Sequence, residues 1–104
     1  MNLDDVAAFA GSLDGCRRRR AAGRVGWYVD GLLVVRPDEP GTILIRVDRA
    51  QRDALLTANP DTFGVPPHWE THEKVQASLD GDADAIRSAI RLSWDRQRRA
   101  RARP

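Results

Sequence analysis

Asp30-Gly31 stands between two runs, Arg24–Val29 and Leu32–Arg36, in which apolar residues recur at every second position. No other feature constrains the fold as strongly. An Asp-Gly pair accepts positive φ at both positions, and this is what a two-residue type I′ turn requires. The twist of that turn suits antiparallel strands, so the two runs are predicted to form a β-hairpin. Its register sets Val29 opposite Leu32 and Trp27 opposite Val34. One face then carries Val25, Trp27, Val29, Leu32 and Val34.

An isolated hairpin is marginal in water, and the flanking sequence supplies what it lacks. Pro37–Gly41 reads as a second turn. Thr42–Val47 follows as a third strand, with Ile43, Ile45 and Val47 on one face and Thr42, Leu44 and Arg46 on the other. Three strands joined by short turns make an antiparallel meander. Leu3–Leu13 precedes it as a helix capped by Asn2, with Leu3, Val6, Phe9, Ala10 and Leu13 on one stripe. Asp48 and Gln51 have the spacing of a capping box. They open a second helix with Ala50, Ala54, Leu55 and Ala58 on its inner side, stopped at Asn59-Pro60.

Phe63–Val65 is a short strand before Pro66-Pro67. Lys74–Leu79 alternates again, with Val75, Ala77 and Leu79 inward. The last helix begins near Asp82 and passes Trp94, its stripe formed by Ile86, Ile90, Ser93, Trp94 and Gln97. From about Arg99 the stripe is lost and the basic tail is expected to fray. The predicted order is α-β-β-β-α-β-β-α. A sheet with one apolar face needs helices on it, so the expected fold is α+β, a two-layer sandwich in one domain spanning residues 1–104.

Three exclusions follow from composition. No apolar run approaches the roughly 20 residues of a membrane span. The acidic, amphipathic start MNLDDVAAF lacks the character of a secretory signal or a transit peptide. Cys16 is the single cysteine, so no internal disulfide can form. These features point to the cytoplasm.

Charge is distributed unevenly. Residues 1–85 hold 10 basic and 14 acidic side chains, a net −4; residues 86–104 hold 7 arginines and one aspartate, a net +6. Any polyanion must therefore be met by patches. Abundant Arg, Ala, Gly and Pro also fit a GC-rich coding bias. Arg17, Arg18, Arg19 and Arg20 are expected in a solvated loop running from Cys16 to Gly23, with Arg24 and Arg36 extending the patch. Arg96, Arg98 and Arg99, followed by Arg101 and Arg103, form a second cluster where cations also oppose the helix macrodipole. A single nucleic-acid footprint built from both clusters requires them to share one surface.

The remaining candidates have simpler explanations. His68, Glu70, His72 and Glu73 follow two prolines and lack the spacing and the further ligand of a metal site, so no metal is expected. Trp27 and Trp94 belong to apolar faces, which leaves Trp69 as the tryptophan free to stack. Cys16 has no His-Asp partnership in any familiar pattern. There is no glycine-rich phosphate loop, GxSxG or Walker pattern, so neither a catalytic constellation nor a cofactor is expected.

Several stretches, taken in order, resemble the MmcQ/YjbR family of small bacterial domains. They are LDDVAAFAGSLDG, RVGWYVDGLLVV, ILIRVDRAQRDALLTANPDTF, PPHWETHEKVQASLDG and IRLSWDRQ, which together cover nearly the whole chain. The order and spacing of these stretches carry the resemblance. Asp14 replaces the family's usual proline, Glu73-Lys74 stands where some members have a second His-Trp pair, and the last strand has only Lys74. The resemblance implies the helix–three strands–helix–two strands–helix fold, a sheet of the double-wing type, and DNA binding. It implies no catalytic residues. The expected function is phosphate contact through arginines with little base readout, mostly non-specific for DNA. The alternative is a protein-interaction or small-ligand module using the open sheet face or a corner formed by His68, Trp69 and His72.

Overall fold

A computed structural model describes residues 1–66 and 73–102, with side chains through Ala100. It is an α+β two-layer sandwich: one antiparallel sheet of six strands with three helices against one face. The elements are α1 (Leu3–Ser12), β1 (Cys16–Ala21), β2 (Arg24–Val29), β3 (Leu32–Pro37), β4 (Thr42–Arg46), α2 (Arg49–Ala58), β5 (Phe63–Gly64), β6 (Lys74–Ser78) and α3 (Ala83–Ala102). In space the strands run β1-β2-β3-β4-β6-β5.

β1 corrects the predicted order, in which Cys16–Gly23 was a loop. Two facts let four consecutive arginines lie in a strand. Alternation sends Arg17 and Arg19 to one face and Arg18 and Arg20 to the other, so like charges on a face stand about 6.8 Å apart. Across the ladder they meet Tyr28, Trp27, Gly26 and Val25, none of them charged. Ala22-Gly23 makes the turn, with φ of 52° and 76°, so β1–β2 is a second hairpin of the type I′ kind. Asp30 and Gly31, at 51° and 80°, make the expected turn between β2 and β3.

The β2–β3 register also differs from expectation. Val29 faces Leu32 as predicted, but Trp27 faces Val35 instead of Val34. Val34 is an extra residue on β3, a bulge, and it is fully buried. The bulge turns two carbonyls toward α3. Ser93 Oγ donates to the Val34 carbonyl at 3.0 Å, and Gln97 Nε2 donates to the Leu33 carbonyl at 2.7 Å. Both side chains are buried, so these polar residues of the α3 stripe serve the backbone of the sheet.

The core lies between the sheet and the helices. Trp27, Val29, Val35, Ile43, Ile45, Val75 and Ala77 of the sheet meet Val6 and Ala10 of α1 and Ile86, Ala89 and Ile90 of α3. α2 contributes less than predicted. Ala50, Ala54 and Ala58 are exposed, and only Leu55 and Leu56 rest against the core, both partly buried. Both predicted caps form: Asn2 with Asp5 and Asp48 with Gln51 make reciprocal boxes, and Asp82 accepts from the Asp84 and Ala85 amides. α3 continues beyond Arg99 to Ala102. Among the described residues no helix is long and apolar enough to cross a membrane.

Cys16 begins β1, buried beneath α1, and burial pushes its thiol up to about 11. The ordinary value is 9.0, so the unfolded chain ionises first and stability falls as pH rises from about 9 toward 11. The folded protein should therefore resist a thiol reagent such as DTNB at pH 8 and react rapidly once unfolded in guanidinium. Equal rates in the two states would contradict the buried placement.

Candidate nucleic-acid interface

The β1–β2 hairpin spans residues 16–29, a stretch with five arginines and no acidic residue. Arg17, Arg18, Arg19, Arg20 and Arg24 are all exposed. Among the described residues no carboxylate lies within ion-pair distance of any of them. Arg17, Arg19 and Arg24 share the face turned away from the helices, because their ladder partners Tyr28, Gly26 and Ala21 alternate with the core residues Val29 and Trp27. Arg18 and Arg20 lie on the helix side of the same edge. The Arg19 guanidinium sits 5.5 Å from the centre of the Tyr28 ring, a cation–π contact that holds it along the sheet.

The helix-free face continues across β3, β4 and β6. Gly26 permits close packing there. A Cβ on it would come within 3.2 Å of the Arg36 Cβ, Leu33 Cδ1 and Tyr28 Cε1 atoms, so its absence lets these three side chains close over β2. Leu44, on the same face, is almost fully buried. Arg36 is buried as well, its Nη1 atom 3.9 Å from Asp38 Oδ1 and donating to the Pro37 carbonyl at 3.4 Å. Arg24, Arg36, Pro37, Asp38 and Glu39 line a shallow cavity of about 350 Å³. At the far end of this face Arg46 is paired with Glu73. The hydrogen bond and charge of Arg46, helped by the charge of Arg96, hold the Glu73 carboxyl below its usual range.

The tail arginines occupy a different place. α3 packs on the helix side of β2, β3 and β4, so its end lies across the sheet from Arg17, Arg19 and Arg24. The guanidiniums of Arg96, Arg98 and Arg99 are also engaged. Arg96 reaches Glu73 at 3.5 Å and donates to Gln97 Oε1 at 3.0 Å. Arg98 pairs with Asp95 at 3.4 Å and covers the Trp94 ring at 3.7 Å, while Arg99 reaches the other Asp95 oxygen at 3.1 Å. Arg17, Arg19 and Arg24 therefore do not share a surface with Arg96, Arg98 and Arg99. What remains is the hairpin patch, with Tyr28 beside the Arg19 guanidinium, a residue that the sequence alone did not single out. Its alternation with Trp27 was the available signal.

The corner of His68, Trp69 and His72 lies outside the described residues. Among those described, no group of three His, Cys, Asp or Glu side chains is placed to hold a metal ion. Trp27 is buried in the core, and Trp94 is half-buried with its indole N–H donating to the Asp14 carbonyl at 2.8 Å.

No family model matches the sequence, and no curated protein matches it. Among solved structures, the chain is similar to the crystal structure of the Deinococcus radiodurans protein DR2400, a DUF419 domain. The TM-score is 0.71, covering 99% of this chain and 89% of that one, at 17% identity. At that identity the likeness establishes a shared fold.

Proposed function

We propose that this chain is an MmcQ/YjbR-like DNA-binding module that grips phosphates through the β1–β2 hairpin with little base readout. The carrying observation is the set of five exposed arginines, unmatched by carboxylates among the described residues, on a domain whose first 85 residues are otherwise acidic. Solvated guanidiniums without carboxylate partners retain their counterions, and release of those counterions drives association with a polyanion. Tyr28 and the Arg19 guanidinium offer a flat π surface beside the charges, suited to an unpaired base. Relatedness of the DUF419 fold to MmcQ/YjbR-like folds supports the family part of this reading.

A salt titration on a labelled duplex tests it. Three to five phosphate contacts predict a log–log slope of about −2.7 to −4.5, so affinity should fall at least about fortyfold between 50 and 200 mM salt. Salt-independent affinity, or no binding at 50 mM, would reject the proposal.

A further inference from the structure

We infer that the outer edge of β1 accepts an acidic, extended segment of another protein as an added strand. β1 is the first strand of the sheet, and among the described residues no strand pairs with its outer side. Its six residues make an edge about 20 Å long; the Cys16 N–H is taken by the Leu13 carbonyl at 3.0 Å, and the outward N–H and C=O groups of Arg18 and Arg20 are available for a ladder. The edge is regular, since all six residues keep register with β2 and no bulge interrupts them.

The side chains choose the occupant. Edges are commonly protected by an isolated charge or a proline, whereas this one presents four consecutive arginines, all exposed. Pairing with the same edge of a second copy would set arginines against arginines, which like-charge repulsion opposes. A strand with acidic residues meets the reverse situation. Because β1 alternates, consecutive carboxylates of the incoming segment face Arg17 and Arg19 on one side of the sheet and Arg18 and Arg20 on the other. The hydrogen-bond ladder supplies affinity and the flanking charges supply selectivity, the division of labour usual in strand addition. This proposal shares its arginines with the DNA reading and differs from it in the backbone ladder, which phosphate contact does not need.

Fluorescence anisotropy with two labelled ten-residue peptides, each with four consecutive glutamates flanked on both sides by three threonines, provides the test. One is unmodified; the other is N-methylated on its six central amides, which removes the ladder donors and keeps every charge. The unmodified peptide should bind at 50 mM salt at least tenfold more tightly than the methylated one. The variant Arg18→Gln/Arg20→Gln should weaken it about tenfold while circular dichroism and melting temperature stay unchanged. Equal binding of the two peptides would reduce the effect to charge attraction and overturn the inference. Binding of neither would overturn it too, as would a concentration-dependent dimer of the free protein in sedimentation. DNA binding without peptide binding sinks this proposal alone; peptide binding without DNA binding sinks only the other.

Discussion

Replacing Arg17, Arg19 and Arg24 with glutamine is expected to lower affinity for duplex DNA about a thousandfold at 50 mM salt. Each phosphate contact contributes about 0.9 to the log–log salt slope, which extrapolates to roughly tenfold in affinity at that salt concentration. Removing three such contacts should also flatten the slope by about 2.7. Glutamine keeps the polarity and much of the length of arginine, and all three positions are exposed, so the fold should survive. The cation–π interaction of Arg19 with the Tyr28 ring disappears in this variant, at a cost of about 0.5–1 kcal/mol for an exposed site. The informative control is the triple variant Arg96→Gln/Arg98→Gln/Arg99→Gln. It removes the same formal charge from the tail, but those guanidiniums already face Glu73 and Asp95. Its slope should change by less than about 1. If the tail variant loses as much affinity as the hairpin variant, DNA is reading net charge and the proposed interface is wrong.

That contrast between two arginine clusters was partly legible in the sequence. Asp95 lies three and four residues before Arg98 and Arg99, a spacing that brings opposite charges together on any helix. The Glu73–Arg96 pair joins residues 23 positions apart and depends on the packing of α3 over the sheet. Alternation located β2, β3, β4 and β6 because each buries one face and exposes the other. It could not locate β1, whose arginines erase the alternation, although Ala22-Gly23 had the same turn chemistry as Asp30-Gly31. The inner side of α2 was misjudged for a related reason: alanine is a good helix former on any face, so Ala50, Ala54 and Ala58 carried no directional information. The bulge was hidden as well. Adjacent apolar residues Val34 and Val35 fit a strand covered on both faces as readily as one with an extra residue.

The bulge carries the largest expected effect on stability. The double variant Ser93→Val/Gln97→Leu should cost about 2–6 kcal/mol, because each buried carbonyl left without its donor costs about 1–3. A 104-residue domain has of order 5–15 kcal/mol in total, so the loss is a substantial share of the fold. It should lower the melting temperature by at least about 10 °C. The substitutions keep apolar bulk in the α3 stripe, so the change isolates the two hydrogen bonds better than truncation to alanine would. Ser93→Thr, which retains the hydroxyl, should cost far less. Gln97→Glu should be worse than Gln97→Leu, since it turns a carboxylate toward the Leu33 carbonyl in place of the amide N–H now 2.7 Å away. The Arg96 guanidinium, which would pair with a carboxylate at position 97, offsets part of that loss. Its Nη1 atom donates to Gln97 Oε1 and so orients the amide with its nitrogen toward the sheet. Chemical denaturation followed by tryptophan fluorescence measures all four variants, with Trp27 in the core and Trp94 half-buried as reporters. A double variant within 1 kcal/mol of the parent chain would mean that the Val34 and Leu33 carbonyls find other donors. The polar residues of α3 would then have no part in setting the β2–β3 register.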